Sequence, residues 1–173
     1  SSFFGAKFQR HIEEILVAPV PNVLILAGYV CGGIARGIIV GVLVTVVAWF
    51  FTDIRIHSYP IMIAVVILTA ALFSIGGFIN AMFAKKFDDI SIVPTFVLTP
   101  LTYLGGVFYS IDLLPEPWRS LSLANPILYM VNAFRYGILG ISDIGLASAF
   151  CVIIGFTVSF FCFALYLLNR GIG

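Results

Sequence analysis

Leu113–Gly140, LLPEPWRSLSLANPILYMVNAFRYGILG, lies between two long apolar runs and resembles neither of them. It is too polar to cross a bilayer as a span and too apolar for an ordinary loop. Trp118, Tyr129, Phe134 and Tyr136 are ring types that settle at membrane–water boundaries. Asn125-Pro126 places a capping residue directly before proline, the favoured opening of a helix. That helix is expected to end near Gly137 or Gly140. At about 1.5 Å per residue it falls well short of the roughly 30 Å hydrocarbon thickness. The stretch therefore reads as a pair of short helices lying in, or dipping into, one face of a membrane. Such pieces shape pathways, because non-helical backbone at membrane depth persists only where protein or water satisfies it.

Outward from this stretch, four runs reach the roughly 20 apolar residues that a span needs: 24–51, 61–84, 90–111 and 144–168. Lys7, Arg10, Lys85, Lys86 and Arg170 fall at one set of ends, whereas Arg55 is the single Lys or Arg in the link between the first two runs. The positive-inside bias then puts the N-terminal segment, the Lys85–Asp89 loop and the C-terminus in the cytoplasm, with 52–60 and 112–143 facing outward. Arg119 and Arg135 run against that bias but belong to the long amphipathic stretch.

The composition agrees. Of 173 residues, 61% are apolar and 10% charged, and the mean hydropathy is +1.14. Soluble domains carry about a quarter charged residues. A net charge of +1 leaves no basic stripe to neutralise phosphates, which disfavours a nucleic-acid partner. Cys31, Cys151 and Cys162 sit inside apolar runs without C-x-x-C or His spacing and read as small buried hydrophobes.

Several features within the runs invite a role. Phe8, Ile12, Ile15 and Leu16 recur at helical spacing, with Gln9, Arg10, Glu13 and Glu14 on the other sides. Pro19 and Pro21 break that helix, and Asn22 is placed to cap the next. A cytoplasmic amphipathic helix on a Pro-Val-Pro hinge suits docking to a soluble partner, or alternatively lies on lipid. In the first run Gly33, Gly37 and Gly41 repeat every fourth residue, spacing that lets helices approach closely in lipid, within the chain or across a dimer. Arg36 sits among them. A lipid-facing arginine at a span centre costs about 2.5–3.5 kcal/mol, so it must snorkel or face a partner or cavity. Pro94 and Pro100 kink the third run, Thr95, Thr99, Thr102 and Tyr103 give it a polar stripe, and Gly105-Gly106 loosens its outer end. Helices broken in this way line substrate routes, or else simply pack with threonines bonded to their own backbone.

Enzymatic chemistry finds no foothold. There is no Walker A pattern, so the chain does not cradle nucleotide phosphates itself. His11 and His57 fall on opposite membrane sides, and no Ser/His/Asp or Cys/His set converges. No metal, cofactor or catalytic residue is expected. An intramembrane hydrolase is therefore disfavoured, and an ATPase-independent channel or scaffold remains the competing class.

With these residues laid out, the chain resembles the membrane subunits of type-2 ABC exporters, and among them the YadH-like inner-membrane permeases. The signature of spaced apolar positions, a small residue, Leu-Pro, then Pro-apolar-any-Tyr and Arg is met by Leu98, Leu101, Leu104, Gly105, Val107, Leu114-Pro115, Pro126-Ile127-Leu128-Tyr129 and Arg135. FDDISIVPTFVLTPLTYLGGVFYS and GAKFQRHIEEILVAPVP carry the likeness further, and it covers essentially the whole chain. The resemblance implies an all-α, polytopic permease of six spans, of which residues 1–173 hold the last four. It implies a multi-pass protein of the bacterial inner membrane, a homodimer among lipids, served by a separate ABC ATPase that binds the ATP. Residues 1–22 would be the cytoplasmic coupling segment, with Ile12, Glu13, Glu14, Ile15, Leu16 and Pro19 meeting the ATPase. Residues 113–140 would be the outer re-entrant segment. Thr99, Tyr103, Phe108, Asn125, Pro126, Tyr129 and Arg135 would line the path or hold its gate. Relatives of this type export polysaccharides, lipid-linked sugars or drugs.

Overall fold

The computed structural model describes residues 20–52 and 55–170, and every regular element in that part is helical. In chain order these are α1 (Asn22–Phe51), α2 (Tyr59–Phe83), α3 (Phe87–Val93), a π-helical turn (Pro94–Leu98), α4 (Thr99–Tyr103), a 3-10 turn (Ile111–Leu113), α5 (Trp118–Leu123), α6 (Pro126–Leu139) and α7 (Leu146–Asn169). Among the described residues α1, α2 and α7 are long and apolar enough to cross a membrane. The molecule is thus a helical polytopic membrane protein. The third apolar run takes a different form. It is one broken helix from Phe87 to Tyr103, about 25 Å along its axis at about 1.5 Å per residue.

Its breaks have identifiable causes. Pro94 has no N–H to offer the Ile90 carbonyl one turn back, and Asn80 of α2 donates its Nδ2 to that oxygen at 3.0 Å. Pro100 likewise cannot bond back, and the chain widens to a π turn in which the Thr99 N–H reaches Pro94 O. The run expected to reach Ile111 stops at Tyr103, because Gly106 adopts φ +71°, a left-handed conformation that glycine enters without penalty.

α2 is the mast. It packs against α1, α6 and α7, and the described core divides into two apolar clusters along its length. At the Lys85 end, Leu26 and Val30 of α1 meet Ile75, Phe78 and Met82 of α2 and Ala164 and Leu167 of α7. At the other end, Val65 and Leu72 of α2 meet Met130 and Ala133 of α6 and Ala149 and Ile153 of α7. The glycine spacing in α1 sets the α1–α2 approach. A Cβ on Gly33 would overlap the Ser74 side chain, and one on Gly37 would sit 3.0 Å from the Ala70 Cβ, whereas Gly41 faces open space. Two members of the repeat therefore serve an intrachain contact. Asn22 opens α1 without a side-chain cap, and its Nδ2 instead donates to Asn169 Oδ1 of α7 at 2.7 Å.

The cysteines depart from expectation. Cys31, Cys151 and Cys162 are free thiols and all three are exposed. Burial is how water sorts apolar side chains. A chain that lives in lipid gains nothing by hiding a small apolar thiol, since the acyl chains outside are as apolar as the core. The same logic leaves the far half of α1 bare, with Trp49, Phe50 and Phe51 at 70%, 85% and 84% exposure.

Candidate functional site

The stretch 113–140 folds as two short helices, α5 and α6, and α6 keeps the expected limits. Asn125 Oδ1 accepts from the Ile127 N–H at 3.0 Å, Pro126 takes the first helical position, and Gly140 closes the helix at φ +72°. At 14 residues, α6 is about 21 Å long. Its C-terminal end lies against the start of α2. The His57 and Ser58 N–H groups donate to Ile138 O and Gly137 O at 3.0 and 2.9 Å, and a Cβ on Gly137 would stand 3.1 Å from the Met62 Cα. The His57 and Tyr136 rings meet edge-on, 5.7 Å apart.

Asn125 does more than cap. Its Nδ2 donates to Leu101 O at 2.6 Å. The Gly105 N–H, which would serve that carbonyl in a continuing helix, turns to Thr102 O instead. Arg135 completes the junction. Its Nη2 donates to Gly106 O at 2.7 Å, and its Nη1 reaches Asp143 Oδ2 at 3.3 Å. Two residues of the stretch 113–140 therefore satisfy backbone oxygens where the broken helix ends. A helix end buried without such partners would be costly.

Asp143 extends the network. Its carboxylate also accepts from Ser110 Oγ at 2.8 Å, and its own N–H donates to Asn132 Oδ1 at 3.1 Å. The Arg135 and Asp143 side chains are 24% and 18% exposed, so this pair is largely withdrawn from solvent. Arg119 pairs with Asp112 and Glu116 at 3.5 and 4.0 Å, but with side chains 46%, 69% and 77% exposed. Exposed pairs of that kind contribute about 0–1 kcal/mol, and breaking an enclosed pair costs several times more. The Arg135–Asp143 pair is the one that matters to the fold. Both arginines that run against the positive-inside bias thus stand beside carboxylates.

The other expected site residues fall around this junction. Tyr129 donates its hydroxyl to Leu123 O at 2.8 Å, closing the end of α5. Thr99 and Thr102 donate to Pro94 O and Leu98 O of their own helix, at 3.1 and 2.7 Å. Tyr103 and Phe108 are 62% and 74% exposed, their ring centroids 6.2 Å apart, and Tyr109 donates its hydroxyl to Tyr103 O at 2.8 Å. Ile12, Glu13, Glu14, Ile15, Leu16 and Pro19 lie outside the described residues. Sequence reasoning missed Asn80, Ser110, Asn132 and Asp143, each of which acts across the fold and not along it. Asp143 had one local sign, a lone acid between Gly140 and Gly145, near the outlying Arg135.

The profile of the ABC-2 type transporter family matches residues 1–139. The chain is 58% identical over all 173 residues to the inner membrane transport permease YadH of Escherichia coli (strain K12), spanning 68% of that protein, and equally so to YadH of Shigella flexneri. Nodulation protein J of Rhizobium leguminosarum bv. viciae is 21% identical over 140 residues, 81% of this chain and 54% of that protein. No solved structure matches the chain. A family profile that covers most of the sequence, and a relative aligned along all of it, agree with the long apolar helices: this chain belongs to the ABC-2 type transporter family.

Proposed function

We propose that this chain is the membrane-spanning permease subunit of an ATP-driven exporter in the bacterial inner membrane. It would act as a homodimer with a separate ABC ATPase subunit. Family membership and the likeness to a protein named an inner membrane transport permease support the reading. The observation that carries the mechanism is the junction of α4 and α6. There, Asn125 and Arg135 hold the end of a broken helix by polar bonds to Leu101 O and Gly106 O. Such bonds break and re-form with water or cargo at modest net cost, unlike an interlocked apolar core.

In this mechanism residues 1–22 take up the ATPase's motion. Ile12, Ile15 and Leu16 fill an apolar floor on the motor, Glu13 and Glu14 face basic groups there, and Pro19 belongs to the hinge before α1. α1 passes the displacement to α2 through the Gly33 and Gly37 contacts, and α2 passes it to α6 through Gly137. Cargo moves along the dimer seam past Thr99 and the exposed rings of Tyr103 and Phe108. Asn125, Pro126, Tyr129 and Arg135 form the gate, and membrane lipid covers the exposed apolar surface.

Two variants of the full-length permease test this. Glu13→Lys with Glu14→Lys should insert normally and recover at least tenfold less of the ATPase on co-purification. Undiminished recovery would refute the docking assignment. Arg135→Ala should keep the assembled complex and lower export severalfold, and unchanged export would remove the gate.

A further inference from the structure

The helix that Pro94 and Pro100 break is supported unequally along its length. Its start is fixed to α2. Asp89 Oδ2 accepts from the Lys85 and Lys86 N–H groups, Ile90 packs against the cluster of Leu26, Ile75 and Phe78, and Asn80 donates to Ile90 O. From Ser91 to Val97, by contrast, every residue is exposed. Firm polar support resumes only at the far end, where Asn125 holds Leu101 O and Arg135 holds Gly106 O. The bare stretch includes most of the π turn, Pro94–Leu98, in which the Thr99 N–H reaches back five residues to Pro94 O. The Thr99 hydroxyl donates to the same oxygen at 3.1 Å. Single π turns inside helices gather at functional sites, and sharp bends gather at prolines.

The Asn80 bond bears on how such a helix can move. Pro94 leaves the helix one bond short across the break, because it has no N–H for the Ile90 carbonyl. In apolar surroundings a carbonyl without a partner is costly, and a bend that stripped Ile90 O of its partner would be resisted. Asn80 removes that resistance. Its donor belongs to a different helix, so Ile90 O stays satisfied whichever way the segment beyond Pro94 leans. Asn80 is itself well placed to stay put, one turn from the end of α2, where its own carbonyl accepts from the Ala84 N–H at 3.0 Å.

We propose that Asn80 is a positioning residue, the fixed pivot about which the arm Pro94–Tyr103 swings while Ile90 O stays bonded to α2. The arm is about 15 Å long at about 1.5 Å per residue, and the Asn125 and Arg135 bonds are the catch at its far end. Hinges of this kind are a few element-terminal residues that absorb the backbone change. The inference rests on the exporter reading for its purpose, since it supplies the moving part of the gate. The swing itself needs neither ATPase nor cargo, so failure of the exporter and failure of the pivot are separate outcomes.

The test reads fluorine NMR from a trifluoromethyl probe on single cysteines of the full-length permease in detergent, with Cys31, Cys151 and Cys162 changed to serine. A probe at Phe96→Cys, on the arm, should show two resonances, and Asn125→Leu, which opens the catch, should shift their ratio at least threefold. A probe at Asp88→Cys, before the pivot, should show one. Asn80→Leu should split the Asp88→Cys resonance. Adding Pro94→Ala, which gives Ile90 O an N–H within its own helix, should return that resonance to one and merge the pair at Phe96→Cys. In the complex with its ATPase, Asn80→Leu with Pro94→Ala should lower kcat for ATP hydrolysis at least fivefold and leave KM for ATP within twofold. A single resonance at Phe96→Cys in both the parent and Asn125→Leu would overturn the proposal. So would parent-like hydrolysis by Asn80→Leu with Pro94→Ala, since Asn80 would then be no more than a partner for a stranded carbonyl.

Discussion

At the Lys85 end, α1, α2 and α7 meet through Leu26, Ile75, Phe78, Ala164 and Leu167, an apolar cluster flanked by single side-chain bonds from Ser74 to Tyr29 O, Asn80 to Ile90 O and Asn22 to Asn169. At the Arg135 end, beside the apolar cluster of Val65, Met130 and Ile153, the end of α4, α6 and the loop after α6 are joined by side chains that reach backbone oxygens and one another. The difference follows from the solvent. In lipid an apolar face gains nothing merely by leaving acyl chains for another apolar face, so the Lys85 end depends on closeness of fit. Polar groups at the Arg135 end have no such indifference, because each must find a specific partner. The first kind of contact is rigid and tolerates little, whereas the second has discrete alternatives and suits a region that must open.

If fit governs the α1–α2 seam, adding bulk there should be the most damaging change. Gly33→Val places a Cβ 2.6 Å from the Ser74 Cβ, and neither helix backbone can yield cheaply. The expected loss is about 3 kcal/mol, at the upper end of ordinary overpacking. Thermal unfolding in detergent should show it. Gly41→Val, which meets open space, should change little. Equal effects of the two would break the comparison, because the glycine repeat would then act through helix propensity and not through contact.

The Arg135 end should respond to lost partners. Asp143→Ala leaves the Arg135 guanidinium bonded to Gly106 O and strands Ser110 Oγ. With both side chains mostly withdrawn from solvent, the expected cost is about 2 kcal/mol, between the values for exposed and fully buried pairs. Removing both charges in Arg135→Ala with Asp143→Ala should cost less than the sum of the single changes. A double-mutant cycle measures that coupling, and additivity would show that the two side chains do not act as a pair.

Which of these features the sequence announced depends on whether the cause was local. The limits of α6 were legible from Asn125-Pro126 and Gly140, since a cap is written within a few residues of the end it closes. The long apolar helices were legible from hydropathy alone. Pro94 and Pro100 announced the break in the third run, but the place where it ends depended on Gly106 turning left-handed, and the sequence showed only a Gly-Gly pair. The compensating bonds were not legible at all. Nothing near Asn80 says that it serves the Ile90 carbonyl, and nothing in Asn125 beyond its capping role says that it reaches Leu101 O. Satisfaction of a broken helix comes from whichever polar side chain the fold brings alongside, at separations no local pattern encodes. The cysteines were misread for a related reason, as a rule about burial in water was applied to residues on the outer faces of apolar helices long enough to span a membrane.

The smallest effect belongs to the loop between α2 and α3. Asp89 Oδ2 accepts from the Lys85 and Lys86 N–H groups, both at 2.9 Å, and these bonds hold its carboxyl below the usual carboxylate range, with the two lysine charges adding to the effect. A depressed pKa means that the folded loop favours the ionised form. The stabilisation is therefore complete above the ordinary carboxylate pKa and fades as pH falls through the lowered value. Asp89→Asn should abolish that dependence while leaving the apolar cluster next to it intact. Amide hydrogen exchange at Lys85 and Lys86 is the sensitive readout. In the parent protein their protection should hold at neutral pH and drop in acid, and in Asp89→Asn it should be low at both. A full loss of the folded protein in acid, abolished by this one change, would mean that the Lys85 end also hangs on a polar bond and that the two ends differ less than their contacts suggest.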